Sequence, residues 1–316
     1  AFGDVVQQES GRLVSVGQTQ TESNRDFTLL GLTAGNGYLD SSFGGGGVTV
    51  TNIAVGRADV ANAVALLPDG RLLVAGYANN GSDDDMAVAR YSVDGVLDED
   101  FGTGGFTVID MGGGERVNNL AVDGDGNIVL VGQADADMGV ARLTAEGDPD
   151  AGFGNGGELH LDRDGKYDEA YGVAFGPDGA IYVGGHTEVS ESFSMAAVKL
   201  GADGEIDADF GEEGWALVTP SGASTLANDM LLLPNDTLLL VGSWKEGTVN
   251  EAAAARLDLS GRLDPAFGAD GIYHEAIGEG GDDILFAADL QPDGKVVAAG
   301  WSRNANLDGL LVRLGW

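Results

Sequence analysis

Short apolar runs of four to seven residues alternate along the whole chain with segments rich in glycine, aspartate and proline. The second copy of this pattern is the clearest. An apolar run at 62–67 precedes the turn Pro68-Asp69-Gly70, and further runs follow at 71–76, 86–91 and Phe106–Ile109. Runs this short, rich in valine, leucine and alanine and bounded by turn residues, predict β-strands rather than helices. Their nearly continuous apolar character predicts sheets that are covered on both faces.

The same pattern of four apolar runs occurs six times along the chain. Its first turn recurs at intervals of 53 to 59 residues, at Gly11, Gly70, Gly126, Gly179, Asp236 and Gly294. A fixed period of this length indicates one supersecondary unit copied along the chain. Four antiparallel strands repeated six times predict an all-β fold, a six-bladed β-propeller, whereas a parallel β-helix has shorter coils and lacks these hairpin turns. We expect a single domain over 1–316 with blades at 1–52, 53–110, 111–162, 163–219, 220–276 and 277–316.

The sixth copy is shorter than the others. Second and third strands number six each, but only five candidates exist for the fourth strand, and the chain stops at Trp316 just after a third strand. The closing blade is therefore expected to lack its outer strand, unless residues upstream of Ala1 supply it. An unpaired strand there would be an exposed edge with the usual tendency to pair.

A Phe-Gly pair recurs in phase with the repeat. Each phenylalanine stands three residues after an aspartate, and the best copy is Leu263-Asp264-Pro265-Ala266-Phe267-Gly268. Together with Gln291-Pro292-Asp293-Gly294, this pattern resembles the bacterial delta-60 repeat family over nearly the full chain. The resemblance implies a propeller from secreted or surface proteins and no general activity. The chain departs from the family pattern at Asn235-Asp236, which replaces Asp-Gly, and at Gly31, where other repeats have a base.

The charge of the chain restricts its partners. Fifty-one acidic residues against 16 basic ones give a formal net charge of −35. Such a surface repels nucleic acid and anionic membranes, and it keeps a protein hydrated in salt. A marine or salt-adapted bacterial protein is favoured over deliberate cation binding, and we expect a monomer without membrane insertion. The chain has no cysteine and opens without Met or a leader, which fits a secreted, cell-surface or periplasmic protein, or an excised fragment.

An acidic position recurs just before each first strand, at Asp59, Glu115, Asp168 and Asp283, with Thr225 in the fifth copy. Carboxylates around a central channel would suit Ca²⁺, which takes 6–8 oxygen ligands. The favoured alternative pairs each acid with a base of the third strand, because a base within an apolar run needs a partner. Those bases are Arg90, Arg142, Lys199, Arg256 and Arg313.

Three residues further on, asparagines recur at Asn62, Asn118 and Asn228, with Asp229 beside the last; Tyr171 and Phe286 occupy the same column in other copies. By placement alone, these four polar residues resemble the channel Ca²⁺ site of six-bladed lactonase and phosphotriesterase propellers. They are our candidate metal ligands, and Ca²⁺ is the only cofactor we consider. The favoured reading is that these side chains satisfy backbone groups of loops.

The position after each second-strand glycine carries several rings. Tyr77, His186 and Trp301 occupy it, and Trp244 lies one step beyond its counterpart. Rings on one rim of a propeller can stack on sugars or other apolar ligands, so these four are our candidate ligand-binding residues. Rings that simply cover the edge of a blade are the commoner case.

Candidates for catalysis are few. His186 is placed to act as a general base, with Tyr167 or Asp168 as neighbours, and these three are weak candidates only. The chain has no G-x-S-x-G, H-E-x-x-H or phosphate-loop motif, and Gly112-Gly113-Gly114 precedes a strand rather than a helix. We therefore favour a non-catalytic extracellular propeller that binds a glycan, protein, small molecule or cation on its rim. The alternative is a Ca²⁺-dependent hydrolase or lyase with a metal in the channel.

Overall fold

The structure is a computed structural model that describes residues 2–20, 24–277, 281–303 and 306–315. Every strand in these ranges belongs to one of six antiparallel sheets, and no helix occurs among them. None of the described residues forms a helix that could cross a membrane. The predicted six-bladed β-propeller is confirmed.

The chain divides into two compact units, 1–161 and 162–316, with three blades each. In the first unit the strands are β1 Phe2–Gln7, β2 Leu13–Gln20, β3 Arg25–Leu32 and β4 Val48–Thr51; β5 Asp59–Leu66, β6 Leu72–Asn79, β7 Asp84–Tyr91 and β8 Phe106–Ile109; β9 Glu115–Val122, β10 Ile128–Ala134, β11 Asp137–Leu143 and β12 Glu158–Leu161. The single domain over 1–316 stays a prediction.

The second unit repeats this plan with one strand fewer. Its strands are β13 Asp168–Phe175, β14 Ile181–Val189, β15 Ser192–Leu200 and β16 Trp215–Val218; β17 Ser224–Leu233, β18 Thr237–Glu246, β19 Val249–Asp258 and β20 Ile272–Glu275; β21 Asp282–Leu290, β22 Val296–Arg303 and β23 Leu307–Leu314. The last blade has three strands, as predicted. Trp316 lies outside the described residues.

The apolar runs of the second blade predicted its strands well but made the first three too short at one end. The ladder of this blade continues through the pairs Asn79–Asp84 and Asp59–Ala78. Polar side chains there bond to one another, since Asn79 donates its Nδ2 to Asp84 Oδ1 at 2.9 Å. Hydrophobicity therefore marks the buried middle of each strand, whereas backbone pairing sets its end.

The hydrophobic core lies between neighbouring blades of a unit. In the first unit, one cluster joins blades one and two around Phe43 and Tyr91, and a second joins blades two and three around Phe101 and Ile128. The central strand β6 is buried along nearly its whole length. This two-sided burial explains why the strands read as continuous apolar runs instead of alternating ones.

The Phe-Gly motif joins one blade to the next. The ring of Phe43 lies against Gly95 in the following blade, where an added Cβ would come within 2.4 Å of the ring. The amide of Gly44 also donates to Asp94 O at 2.8 Å. Phe101 and Gly147 repeat this ring-to-turn contact. The Phe-Gly motif, on which the family resemblance rests, therefore packs one blade against the next.

Every first strand contains a β-bulge, and the bulge explains the recurring second-strand glycine. In the second blade the pairing skips Asn62, and an added Cβ on Gly76 opposite would lie 1.9 Å from Val60 O. Gly132, Gly185, Gly242 and Gly300 meet the same carbonyl position at 1.8 to 2.0 Å. Glycine is required at these positions because the bulged backbone approaches closely. The six bulged residues are Gly3, Asn62, Asn118, Tyr171, Asn228 and Phe286.

Candidate ligand-binding rim

The asparagine column predicted as metal ligands coincides with the bulged residues. Asn62 donates its Nδ2 to Val117 O of the next blade at 2.8 Å, and Asn228 donates in the same way to Leu285 O at 2.7 Å. Each acceptor is the residue just before the next blade's bulge. These amides therefore satisfy backbone groups, as we favoured, but the groups lie in the first strand of the next blade and not in a loop.

Asp229, which follows Asn228, also bonds to backbone amides. Asp229 Oδ1 accepts from its neighbour Met230 N, and Oδ2 accepts from Ala288 N of the next blade, both at 2.8 Å. Asp4 makes the equivalent bond to Val64 N at 2.9 Å in the first unit. Asn62 and Asn118 lie in the first unit, and Asn228 and Asp229 lie in the second. A metal site made of all four residues stays a prediction.

His186 takes the place of the asparagine amide in the fourth blade, where the bulged residue is Tyr171. Its Nδ1 lies 3.3 Å from Ala227 O, which again precedes the next bulge. The imidazole is buried, and burial lowers its pKa, so the ring is neutral at pH 7 with Nδ1 protonated toward the carbonyl. Tyr171 stacks on it at 5.4 Å between ring centroids, and Phe193 meets it edge-on at 5.2 Å.

The other two weak catalytic candidates also have structural partners. Tyr167 donates its hydroxyl to Glu169 Oε2 at 2.7 Å and stacks loosely on His186, with ring centroids 6.5 Å apart. Asp168 is fully buried and accepts from Arg163 N at 2.8 Å in the loop that precedes its strand. The structure thus brings Tyr167 and His186 together as packed rings, and it uses Asp168 to hold a loop.

The acidic column does not form the salt bridges that we favoured. Asp59 accepts from Ile53 N at 2.8 Å and from Ala54 N at 3.1 Å, and Asp283 accepts from Ile277 N at 2.7 Å. Each acid therefore caps the loop that enters its own strand. Thr225 does the same with a hydroxyl that donates to Val218 O at 3.0 Å. The expected pairing with third-strand bases is wrong for these residues.

The third-strand bases pair instead with the aspartate of the Asp-x-x-Phe-Gly motif. Arg256 contacts Asp264 at 2.9 Å, and its guanidinium lies 4.9 Å from the centroid of the Phe267 ring. The base always stands eight residues before the aspartate, a constant spacing that the sequence offered and that we did not use. The other pairs of this kind are Arg90–Asp98, Arg142–Asp150 and Lys199–Asp207.

The first blade replaces this base by one from another strand. Gly31 occupies the usual position, and a Cβ there would lie 2.4 Å from the Phe43 ring. Arg12 supplies the charge instead, with its Nε 2.8 Å from Asp40 Oδ2 and its guanidinium 5.4 Å from the centroid of Phe43. The departure from the repeat pattern at Gly31 is therefore compensated within the same blade. In the last blade Arg313 pairs with Asp293 on the surface.

Burial makes one of the loop-capping carboxyls sensitive to pH. Asp59 is fully buried, which raises its pKa from the ordinary 3.8 to about 6; the amides of Ala54 and Ile53 oppose the shift, and nearby Asp26 adds to it. The folded state thus holds this proton more tightly than the unfolded state. The stability contributed by the proton is complete below about pH 4 and is lost as pH rises through about 6.

We expect the Asp59→Asn variant to gain stability relative to the unmodified protein as pH rises from 5 to 7. The amide stays neutral, whereas the buried carboxyl must ionise, so the change in free energy of unfolding should be about 1–2 kcal/mol. Urea unfolding at pH 5, 6 and 7 measures it. Asp293→Asn is the control, because hydrogen bonding from Lys295 N lowers the pKa of that exposed carboxyl. An Asp59→Asn difference independent of pH would contradict the assignment.

Of the aromatic residues predicted to bind ligand, His186 is buried, and the other three are half-buried and lie against a basic side chain. The guanidinium of Arg116, from the next blade, lies 4.8 Å from the centroid of Tyr77. Trp244 stacks on His274 with centroids 4.2 Å apart and planes 5° apart. Trp301 lies under the guanidinium of Arg303 at 5.3 Å. These pairs, which we call the aromatic rim, each lie near the end of the second strand of their own blade, with Tyr77 in the first unit and Trp244 and Trp301 in the second.

The first unit also contains an acidic cluster able to hold a metal ion. One carboxylate oxygen from each of Asp85, Asp110 and Glu115 lies within 4.8 Å of the others. Glu115 belongs to the acidic column, and Asp85 belongs to the run Asp83-Asp84-Asp85, which by sequence could hold Ca²⁺ but which we favoured as a solvated loop; Asp110 was not among our candidates. The signal that could have found them is positional, because all three lie where one blade passes into the next.

A cavity lies at the opposite end of the blades from the aromatic rim. It has a volume of about 410 Å³ and lies between the first turns of blades two and three, lined by Leu66, Leu73, Val122 and Ile128 with Asp69 and Arg71 at its edge. None of our candidate site residues lines it.

Comparison with known proteins supports the fold. Four segments, 67–101, 124–153, 176–210 and 291–315, match the family model described as a domain of unknown function (DUF5122) beta-propeller. These segments make up less than half of the chain, and each spans the first turn of one blade. A search of curated proteins finds no match.

Solved structures with similar folds belong to proteins of several kinds. The PQQ-bound aldose sugar dehydrogenase of Streptomyces coelicolor is 14% identical with a TM-score of 0.53, and the match covers 94% of this chain and 87% of that one. A virginiamycin B lyase from Staphylococcus aureus is 15% identical, with a TM-score of 0.46 and 79% and 69% coverage. Chaetomium thermophilum Sqt1, solved with the N-terminus of ribosomal protein L10, is 14% identical, with a TM-score of 0.48 and 97% and 86% coverage. Identities this low show the fold alone.

Proposed function

We propose that this chain is a non-catalytic binding propeller whose ligand contacts the aromatic rim. One contrast carries the proposal. The polar side chains that chemistry would need, among them Asn62, Asp168 and His186, bond to backbone groups of the next blade or of the preceding loop. The rings of Tyr77, Trp244 and Trp301 remain partly exposed. A rigid scaffold with exposed rings is suited to recognition.

A glycan is the ligand class that this surface favours. Ring faces of tyrosine and tryptophan stack on the apolar faces of sugars, and neighbouring polar groups bond to hydroxyls. Such groups lie beside the rings: Arg116 is held by Asp84 at 2.7 Å, and His274 is held by Glu251 at 2.6 Å. A net charge of −35 disfavours anionic ligands and leaves neutral sugars unaffected.

The setting of the protein belongs to the same proposal. Membership of the delta-60 repeat family, a secreted or cell-surface location in a bacterium and adaptation to salt are all consistent with the acidic composition and the repeat. A protein segment or a cation bound at the rim would be a different outcome of the binding experiment.

We expect wild-type protein to bind one class of neutral oligosaccharide on a glycan array. Trp301→Ala should weaken that binding at least about tenfold, because truncating a ring that stacks on the ligand commonly costs more than 1 kcal/mol. Titration calorimetry with the best array hit measures the change. Tyr38→Ala is the matched control, since Tyr38 is 74% exposed on a loop of the first blade, outside the aromatic rim.

Two results would overturn the proposal. The first is an array without specific binding, and the second is equal affinity of Trp301→Ala and wild-type protein. The enzyme alternative is tested on the same samples with panels of lactones and esters, before and after removal of Ca²⁺ by EDTA. Turnover that needs Ca²⁺ and is lost in Asn62→Ala would replace the binding function by a Ca²⁺-dependent hydrolase or lyase.

A further inference from the structure

Three carboxylates meet where the second blade passes into the third. Asp85 lies on β7, Asp110 directly follows β8, and Glu115 begins β9. The glycine-rich loop between the last two, Gly112-Gly113-Gly114, turns the chain so that both acids face Asp85. The loop resembled a phosphate-binding turn in composition, and in the structure it brings carboxylates together.

The described contacts of this cluster leave one buried oxygen unsatisfied. Glu115 is fully buried; its Oε1 accepts from Gly113 N at 2.7 Å and the Met111 backbone amide also stabilises the carboxylate, but Oε2 has no hydrogen bond of normal geometry. Asp85 is 4% exposed, and its Oδ1 accepts from Asn80 Nδ2 at 2.9 Å. All of these donors are neutral. A buried carboxylate oxygen without a donor is costly, so something positive is expected beside it.

The electrostatics of the cluster also favour a positive group beside these carboxylates. Burial raises the pKa of Glu115; the backbone amides of Met111 and Gly113 oppose this rise, and the charges of Asp85 and Asp110 add to it. Burial likewise raises the pKa of Asp85, with Asp110 as the next cause. No salt bridge in the described part of the chain includes any of these three acids. A bound cation would remove the repulsion that these groups exert on one another.

The other places within a unit where one blade passes into the next, which we call joints, lack at least one of these three carboxylates. Where the first blade passes into the second, Asn52 stands in the position of Asp110; between blades five and six, Ala276 stands there. Between blades four and five the joint is neutral, and Thr225 Oγ1 accepts from Met195 N at 2.8 Å and donates to Val218 O at 3.0 Å. Hydrogen bonds can therefore close such a joint without an ion, and the third carboxylate distinguishes the joint at Asp110.

We propose that Asp85, Asp110 and Glu115 bind one Ca²⁺ ion that fastens the second blade to the third. Three protein carboxylates at one site favour Ca²⁺, which accepts 6–8 oxygen ligands in flexible geometry, over Mg²⁺, which demands near-ideal octahedral geometry and is usually held by one or two carboxylates. The exposed Asp110 leaves room for water to complete the coordination. This site is separate from the aromatic rim and from the asparagine column.

Calcium binding is tested on the full chain after removal of metal with EDTA, in 0.15 M KCl. Salt at this concentration screens the diffuse attraction of Ca²⁺ to an acidic surface. We expect saturable binding by calorimetry, and a rise in Tm of about 3–6 °C at a Ca²⁺ concentration 100-fold above Kd. Mg²⁺ at the same concentration should produce a smaller rise.

Two variants separate an ion site from a structural cap. Asp110→Asn alters an exposed side chain, so the protein should fold and should bind one Ca²⁺ fewer, with the calcium-dependent rise in Tm lost. Asp59→Asn changes the loop cap at the preceding joint, and it should keep both the stoichiometry and the rise. The proposal is overturned if wild-type protein binds no Ca²⁺ saturably, if Asp110→Asn binds as many ions as wild type, or if both variants lose the rise.

Discussion

Replacing Gly242 by alanine should lower the free energy of unfolding by about 2–4 kcal/mol, although the substitution adds a single methyl group. That methyl would lie 1.9 Å from Leu226 O and 3.1 Å from Ala227 Cα. Both neighbours are backbone atoms of a bulged strand, so no rotamer change can relieve the contact. The strand must move, and the bulge that places Asn228 against the next blade must move with it.

Denaturant unfolding followed by tryptophan fluorescence measures this effect, since all four tryptophans lie in the second half of the chain with Gly242. Gly124→Ala is the matched control: no atom lies within 4 Å of its added Cβ, and its φ angle is not positive. The control should change stability by less than about 1 kcal/mol. If Gly242→Ala were as stable as the control, the bulge would not be the reason for glycine at this position.

Removing the carboxylate of Asp264 should destabilise the protein by about 2–4 kcal/mol, because it leaves the guanidinium of Arg256 buried without its partner. The Arg256 side chain is 4% exposed, and both its Nε and Nη2 lie 2.9 Å from Asp264 Oδ2. Stacking over Phe267 holds the guanidinium in place but does not neutralise its charge. The estimate is below that for a fully buried pair because Asp264 is 22% exposed.

A double-mutant cycle tests this reasoning. Arg256→Met combined with Asp264→Ala should recover part of the loss, since the buried charge is then gone and an apolar chain fills its space. Asp293→Ala, which removes the partner of the half-exposed Arg313, should leave the unfolding transition unchanged within error. A loss at Asp264 no larger than at Asp293 would show that the buried guanidinium finds another partner.

Much of the fold follows from local rules that the sequence carries. Repeated turns at positions such as Gly70 and Gly126 gave the period, and the apolar runs between them gave the strands; all five fourth strands, including Phe106–Ile109, lie where they were expected. The missing outer strand of the last blade was also read correctly. These features depend on neighbouring residues only, because hydrophobic runs and turn residues act within a few positions of the chain.

The partners of polar residues could not be obtained in that way. Recurrence identified an acidic column and a basic column, and their pairing with each other was the natural interpretation. In the structure Arg90 pairs with Asp98, whereas Asp59 accepts a hydrogen bond from the loop that precedes its own strand. Each asparagine of the column is likewise the bulged residue of its strand; at Asn62, for example, the pairing register shifts against the strand that carries Gly76. The recurring second-strand glycine is the mark that this register shift leaves in the sequence, but the glycine does not by itself show which residue of the facing strand is skipped.

The repeated sequence determined by itself how many blades this protein has and where their strands run, since burial of apolar runs and the geometry of tight turns are decided locally. Only the tertiary structure decided which polar groups meet, because residues such as His186 and Ala227, or Asp85 and Glu115, come together across neighbouring blades or strands. A few tenths of a nanometre between such groups separate a structural hydrogen bond from a site for an ion or a ligand.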